Sequence, residues 1–261
     1  MIRAVSLKTA IVVPFVILMV LAVGLTGLLS VLNGRVAVEE VVSSLLAEIT
    51  ERIEDNLRHF LEAPYRVDAT NRMAVRTGLL STSDLTPWRK YLWRQAQLAV
   101  SVNNIVLGNE AGAYVGVDTP ASGQRVIQIS DATTGFDLIT YQTDAAGRLT
   151  EQLSVARDYD PRKRPWYRSP VAAGGPVWSS IYKHFVDPAL QMALSMPLYD
   201  ESGSLLGVTA AAVRLSRIAD FLKTLRIGTS GEAFIVDRSG LFVAASVPET
   251  PFRITEAGTA E

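Results

Sequence analysis

Twenty-three consecutive residues, 10–32, carry no charge, and this run limits the chain more than any other feature. A helix of that length covers the roughly 30 Å of a hydrocarbon layer, where only a structure that satisfies its own backbone hydrogen bonds persists. A cleaved leader would be the rival reading, but its apolar stretch is shorter and closes on a small-residue cleavage site, which this run lacks. An uncleaved transmembrane helix is therefore expected. Arg3 and Lys8 precede it and Arg35, Glu39 and Glu40 follow. That mild cationic bias places residues 1–9 in the cytoplasm and the bulk of the chain outside.

Beyond the run, residues 36–61 repeat Val38, Val41, Val42, Leu45, Ile49, Ile53, Leu57 and Phe60 or Leu61 at three- and four-residue steps. This is the period of a long helix with one apolar face, and Glu39, Glu40, Glu48, Glu51, Glu54 and Asp55 lie among or opposite it. The stripe needs a partner. Its own domain could supply one, and so could the same helix of a second copy in a homodimer; both can hold at once. Pro64 is expected to disturb the helix, a shorter helical segment following through Met73 and Leu79. Thr86 and Pro87 then read as an N-cap and first-turn pair opening a helix through Trp88, Leu92, Gln95 and Ala99.

From Ile105 the period changes to two. Strands are expected at 105–107, 113–117, 125–129, 137–142 and 150–156, and again at 178–185, 190–198 and 205–213. Turn residues separate them, Asp200-Glu201-Ser202-Gly203 forming a hairpin turn. An amphipathic helix over 216–225, with Ile218, Phe221, Leu222 and Leu225 on one side, precedes a last hairpin of 231–237 and 241–245 joined at Arg238-Ser239-Gly240. The class is α+β with an antiparallel sheet.

The nine residues 159–167, Tyr-Asp-Pro-Arg-Lys-Arg-Pro-Trp-Tyr, crowd three cations and three aromatic rings around two prolines. Pro161 and Pro165 fix their own φ and drive Asp160 and Arg164 away from the α region, so little ordering entropy remains to be lost on binding. Arg164 offers a planar fork for a carboxylate, with the aromatic faces of Trp166 and Tyr167 beside it. The competing reading is an ion pair of Arg164 with Asp158 or Asp160.

Tyr159, Arg164, Trp166 and Tyr167 together resemble the signature of the double Cache extracytoplasmic sensor domain. That resemblance implies a membrane-emergent helix carrying two PAS-like lobes, the distal one binding a small metabolite through this segment. It implies membership among chemoreceptors, sensor histidine kinases and nucleotide cyclases of the bacterial inner membrane, the sensing bulk being periplasmic or extracellular. Residues 33–225 would hold the long helix and the distal lobe, and residues 226–261 the start of a second, truncated lobe. In the amino-acid-binding branch a Tyr and an Asp are expected on the next strand and another Asp near the lobe's end. Tyr182 stands at the first place, but His184 and Ala212 stand where the two acids would be. The half that holds a carboxylate is present; the half that holds an ammonium is missing. Tyr159, Arg164, Trp166, Tyr167, Tyr182 and His184 form the expected ligand site. His184 would make the pocket pH-sensitive or be an ordinary exposed strand histidine.

A net charge of −1 argues against a nucleic-acid partner. The absence of cysteine removes disulfides and thiolate zinc sites. His184 and Asp187 alone do not make a metal site, and no cofactor is implied. The chain has no phosphate-cradling loop, no HExxH and only two histidines, so catalysis is not expected. A ligand receptor requires a cavity on the order of hundreds of cubic ångströms. A membrane-tethered scaffold binding another protein through the same lobe would instead show a filled pocket and an exposed apolar patch.

Overall fold

The computed structural model describes residues 7–225, 231–236, 240 and 242–247. The chain divides into a unit spanning Met1–Ile53 and another spanning Glu54–Glu261. In the first, residues 11–32 are helical and exposed. They belong to α1 (Leu7–Arg76), among the described residues the one helix long and apolar enough to cross a membrane.

In the second unit α1 passes Pro64 without the expected break and ends at Arg76, leaving Leu79 outside the helix and 69% exposed. A proline inside a helix costs about 3 kcal/mol. Here Ala63, Pro64, Val67, Asp68, Asn71 and Ala74 are all buried, and their packing offsets that cost. The helix α2 (Thr86–Leu98) starts one residue earlier than a Thr86 cap would allow. Its N-cap is Leu85, and Asp84 just before it accepts the Thr86 N–H on Oδ1 at 2.9 Å.

Nine antiparallel strands form one sheet: β1 (Asn104–Asn109), β2 (Tyr114–Asp118), β3 (Val126–Ser130), β4 (Leu138–Thr143), β5 (Leu149–Ala156), β6 (Val177–Trp178), β7 (Tyr182–Lys183), β8 (Leu190–Tyr199) and β9 (Leu205–Arg214). Their order is β5-β4-β3-β2-β1-β9-β8-β6, with β7 also paired to β8. The α+β expectation holds. One expected strand, 178–185, is two. Trp178 pairs with Leu194 and Tyr182 with Gln191, so four steps on one side oppose three on the other. The extra residue breaks the ladder as a bulge does, and Ser179 bridges the gap by donating its N–H to the Ala193 carbonyl at 2.8 Å.

Side-chain alternation gives the sheet two buried faces. On one, Ile105, Leu107, Val115, Val117, Ile127 and Ala211 meet Ala63 and Val67 of α1 and Trp88, Leu92 and Trp93 of α2. On the other, Val106, Tyr114, Leu138, Ala193, Val208, Ala210 and Ala212 meet Tyr159, Trp166, Tyr167 and Tyr182. Trp166 and Tyr167 belong to α3 (Pro165–Ala173), a helix the sequence reading did not anticipate.

The last described elements are α4 (Leu215–Thr224), which buries Ile218 and Leu222, and the hairpin of β10 (Phe234–Val236) with β11 (Phe242–Ala245). Its turn at Arg238 and Ser239, Asp237, Leu241 and everything past residue 247 lie outside the described residues.

Candidate functional site

The second face of the sheet is roofed by the segment that leaves β5. Asp158 adopts φ 58°, a left-handed conformation that turns the chain inward at Tyr159. Asp160 and Arg164 are extended, with ψ 111° and 147°, as the prolines after them require. A 3-10 turn over Pro161–Lys163 separates them, and α3 starts at Pro165. The Asp160 carboxylate accepts the Arg162 N–H at 3.0 Å and Arg162 Nε at 2.9 Å, while Arg162 Nη1 donates to the Glu110 carbonyl at 3.0 Å. Arg162 is thus a structural clasp. Pro161 and Trp166 lie directly on Gly108 of β1, where a Cβ would come within 3.0 Å of each.

Tyr159, Arg164, Trp166, Tyr182 and His184 line one recess, together with Asn104, Tyr114, Gln128, Phe185, Gln191 and Ala212. Tyr167 does not line it; its hydroxyl donates to Glu110 Oε1 beside the roof. Arg164 makes no ion pair among the described residues, since Asp160 is engaged by Arg162. Its Nη2 donates to the Lys183 carbonyl at 2.7 Å, and its Cζ lies 5.6 Å from the Tyr182 ring centre and 5.3 Å from that of Phe185. The cation is held by neutral groups that an anion could outbid.

Three phenols face this space. Burial pushes the hydroxyls of Tyr114, Tyr159 and Tyr182 up, so all three remain neutral. Tyr114 donates to Gln128 Oε1 at 3.3 Å, and Tyr182 accepts from Gln191 Nε2 at 3.0 Å. Gly116 matters to this arrangement, because a Cβ there would overlap the Tyr114 hydroxyl.

His184 is only 5% exposed, which corrects the reading of an exposed strand histidine. The bulge between β6 and β7 and the sheet pairing of Tyr182 and Lys183 direct it inward, onto charges that sequence reasoning missed. Its Nε2 is 3.9 Å from Asp118 Oδ2 and 3.4 Å from Asn104 Nδ2, and its Nδ1 is 3.3 Å from Asp187 Oδ1. Arg214 Nη2 lies 2.9 Å from Asp118 Oδ2 and 2.8 Å from Asp187 Oδ2. Desolvation raises the Asp118 carboxyl against the pull of His184 and Arg214. For the more open Asp187, desolvation is outweighed by His184, the Ala189 N–H and Arg214, which hold its carboxyl well below the usual range. Donor atoms of Asp118, His184 and Asp187 fall within 4.8 Å of one another, which supplies the third candidate metal ligand that the sequence did not name. Arg214 bridges both carboxylates, so the cluster carries its own cation.

The recess encloses about 350 Å³ with its open mouth, but its closed void is only about 20 Å³, room for one water. The expected cavity of hundreds of cubic ångströms is not preformed. Phe185 packs edge-on to Tyr159 with ring centres 4.8 Å apart, and Arg164 lies across both Tyr182 and Phe185. The missed residues were legible in one respect: Asn104, Gln128 and Gln191 are polar positions in mostly apolar strands.

A family model described as Cache domain matches residues 34–259. Methyl-accepting chemotaxis protein McpA of Pseudomonas putida is 27% identical over 179 residues, which is 67% of this chain and 27% of McpA. Adenylate cyclase 1 of Rhizobium meliloti is 28% identical over 155 residues, 53% of this chain and 23% of the cyclase. The chain therefore spans about a quarter of the length of these relatives. Among solved structures, the ligand-binding domain of the Pseudomonas aeruginosa chemoreceptor PctC, in complex with GABA, superposes with TM-score 0.50 at 19% identity, covering 76% of this chain and 74% of that one. A methyl-accepting chemotaxis protein X gives TM-score 0.52 at 14% identity, covering 80% and 75%.

Proposed function

The chain belongs to the Cache domain family, and from that premise we propose that it is the sensing part of a membrane-anchored signalling receptor whose ligand is a small carboxylate. The observation that carries this reading is Arg164, a cation at the mouth of an aromatic recess that no acidic side chain among the described residues neutralises. A carboxylate there gains a charge-assisted pair contributing about 1.5–3 kcal/mol, and the phenols beside it add neutral O–H donors. The apolar run of α1 is the inner-membrane anchor, with the bulk of the chain periplasmic. Residues 33–225 form the distal lobe with its long helix, and 226–261 open a second lobe. The stripe at 36–61 pairs with the same helix of a second copy.

Ligand entry requires Phe185 and Arg164 to swing away from Tyr159 and Tyr182. The 20 Å³ void favours one other reading, a scaffold whose lobe binds protein and never opens. A thermal-shift screen of the whole chain in detergent micelles separates the two. Ligand at a hundredfold excess over its Kd adds about 2.7 kcal/mol to a receptor's stability. A carboxylate that raises Tm in the native chain and leaves Arg164→Ala unmoved supports the receptor. No shift with any carboxylate, from a well-folded chain, supports the scaffold.

A further inference from the structure

We propose that this site selects carboxylates whose other end carries a neutral hydrogen-bond donor, a hydroxyl or an amide N–H, over those that carry an ammonium. The inference rests on the sensing role of the recess and specifies its ligand class.

The floor of the recess presents unsatisfied acceptors and no free anion. Asn104 is 4% and Gln191 2% exposed, yet Asn104 Oδ1 and Gln191 Oε1 have no hydrogen-bond partner, and both side chains line the recess. A buried acceptor without a donor is costly, and most such groups in folded proteins are paired. These two stand on adjoining parts of the same face, Asn104 on β1 opposite Ala212 of β9 and Gln191 on β8 opposite Arg214 of β9. A ligand O–H or N–H placed against either of them would satisfy that acceptor. Tyr182, which accepts from Gln191, keeps its own proton to offer an oxygen of the ligand.

An ammonium would find no counter-charge. Of the titratable groups lining the recess, Arg164 is cationic, the three tyrosines are neutral and the last is His184. The carboxylates of Asp118 and Asp187 do not line it: His184, which does, lies 3.9 Å from Asp118 Oδ2 and 3.3 Å from Asp187 Oδ1, and Arg214 Nη2 bridges the two acids at 2.9 and 2.8 Å. Moving an ammonium from water onto neutral amides costs far more than moving a hydroxyl, whose single O–H one such amide oxygen satisfies.

The test uses the whole chain in nanodiscs and isothermal titration with matched probes: 4-hydroxybutanoate, 4-aminobutanoate and butanoate, then lactate, alanine and propanoate. In at least one series the hydroxy acid is expected to bind tenfold or more tighter than both companions. Gln191→Glu, which puts a carboxylate on the floor, should narrow or reverse the preference over the amino acid, and Asn104→Asp does the same should the first variant fail to fold. An amino acid that binds the native chain as tightly as its hydroxy counterpart overturns the inference while sparing the receptor reading. Carboxylate binding without a hydroxyl preference in either series does the same. Absence of binding by all six probes, together with no carboxylate response in the thermal screen, overturns both.

Discussion

Arg214 and Asp118 are 96 residues apart in the chain and meet at 2.9 Å, with side chains 6% and 3% exposed. Their pairing joins β9 to β2 across β1, behind His184 and the floor of the recess. Removing one member of a buried pair leaves the other charge stranded, at a cost of about 3–5 kcal/mol. Arg214→Ala is expected to lose that much stability in chemical denaturation. The double replacement Asp118→Asn with Arg214→Gln should lose clearly less, because the one carboxylate then left without Arg214 is Asp187, whose side chain is 29% exposed and lies beside His184.

Gly108 is the seat of the roof. The Cβ of Gly108→Val would press on Pro161 and Trp166 at 3.0 Å, and its methyls would press further. Overpacking of this kind costs about 1–3 kcal/mol. The strain falls on the segment that carries Arg164, so ligand affinity is expected to drop tenfold or more while the sheet's circular dichroism is kept. Unchanged affinity would show that the roof does not position the site.

Strand and helix periodicity exposed most of the fold because it depends on neighbours in sequence: β1 to β5, β8, β9 and α4 all lie within a few residues of expectation. The failures depend on distant contacts. Pro64 stays helical because Val67 and Asn71 are buried beneath it, and the strand at 178–185 splits because β8 runs one residue short opposite it. The prolines correctly signalled the backbone of Asp160 and Arg164. Whether Arg164 would be consumed by an internal acid depended on the side chain of Arg162, and the Asp118–Arg214 pair on strand order, which no local pattern encodes.

Asp68 on α1 is fully buried, with Thr209 Oγ1 donating to its Oδ1 at 2.9 Å. Burial raises its carboxyl well above the usual value, a shift that the bonds from Thr209 and Ala211 only reduce. The native state therefore holds this proton at pH values where the unfolded chain has released it, so the contribution falls as pH rises beyond the ordinary carboxylate range. Asp68→Asn removes that dependence. The variant should match the native chain near pH 4 and exceed it at pH 8 by about 1–3 kcal/mol, read from denaturation midpoints at the two pH values.

Phe185 is 37% exposed and closes the mouth against Tyr159. Phe185→Ala should enlarge the closed void and speed ligand association several-fold in stopped-flow mixing. Dissociation should quicken too, since the lost ring no longer covers the ligand. An unchanged association rate would mean that entry follows another route.

The central claim is that Arg164 captures the carboxylate, and calorimetric titration of the best-binding carboxylate into the native chain, Arg164→Lys and Arg164→Ala tests it most directly. The account predicts that loss of a charge-assisted pair of about 1.5–3 kcal/mol weakens binding by ten- to a hundredfold in Arg164→Ala, with Arg164→Lys in between. A carboxylate that binds Arg164→Ala as tightly as the native chain would contradict it.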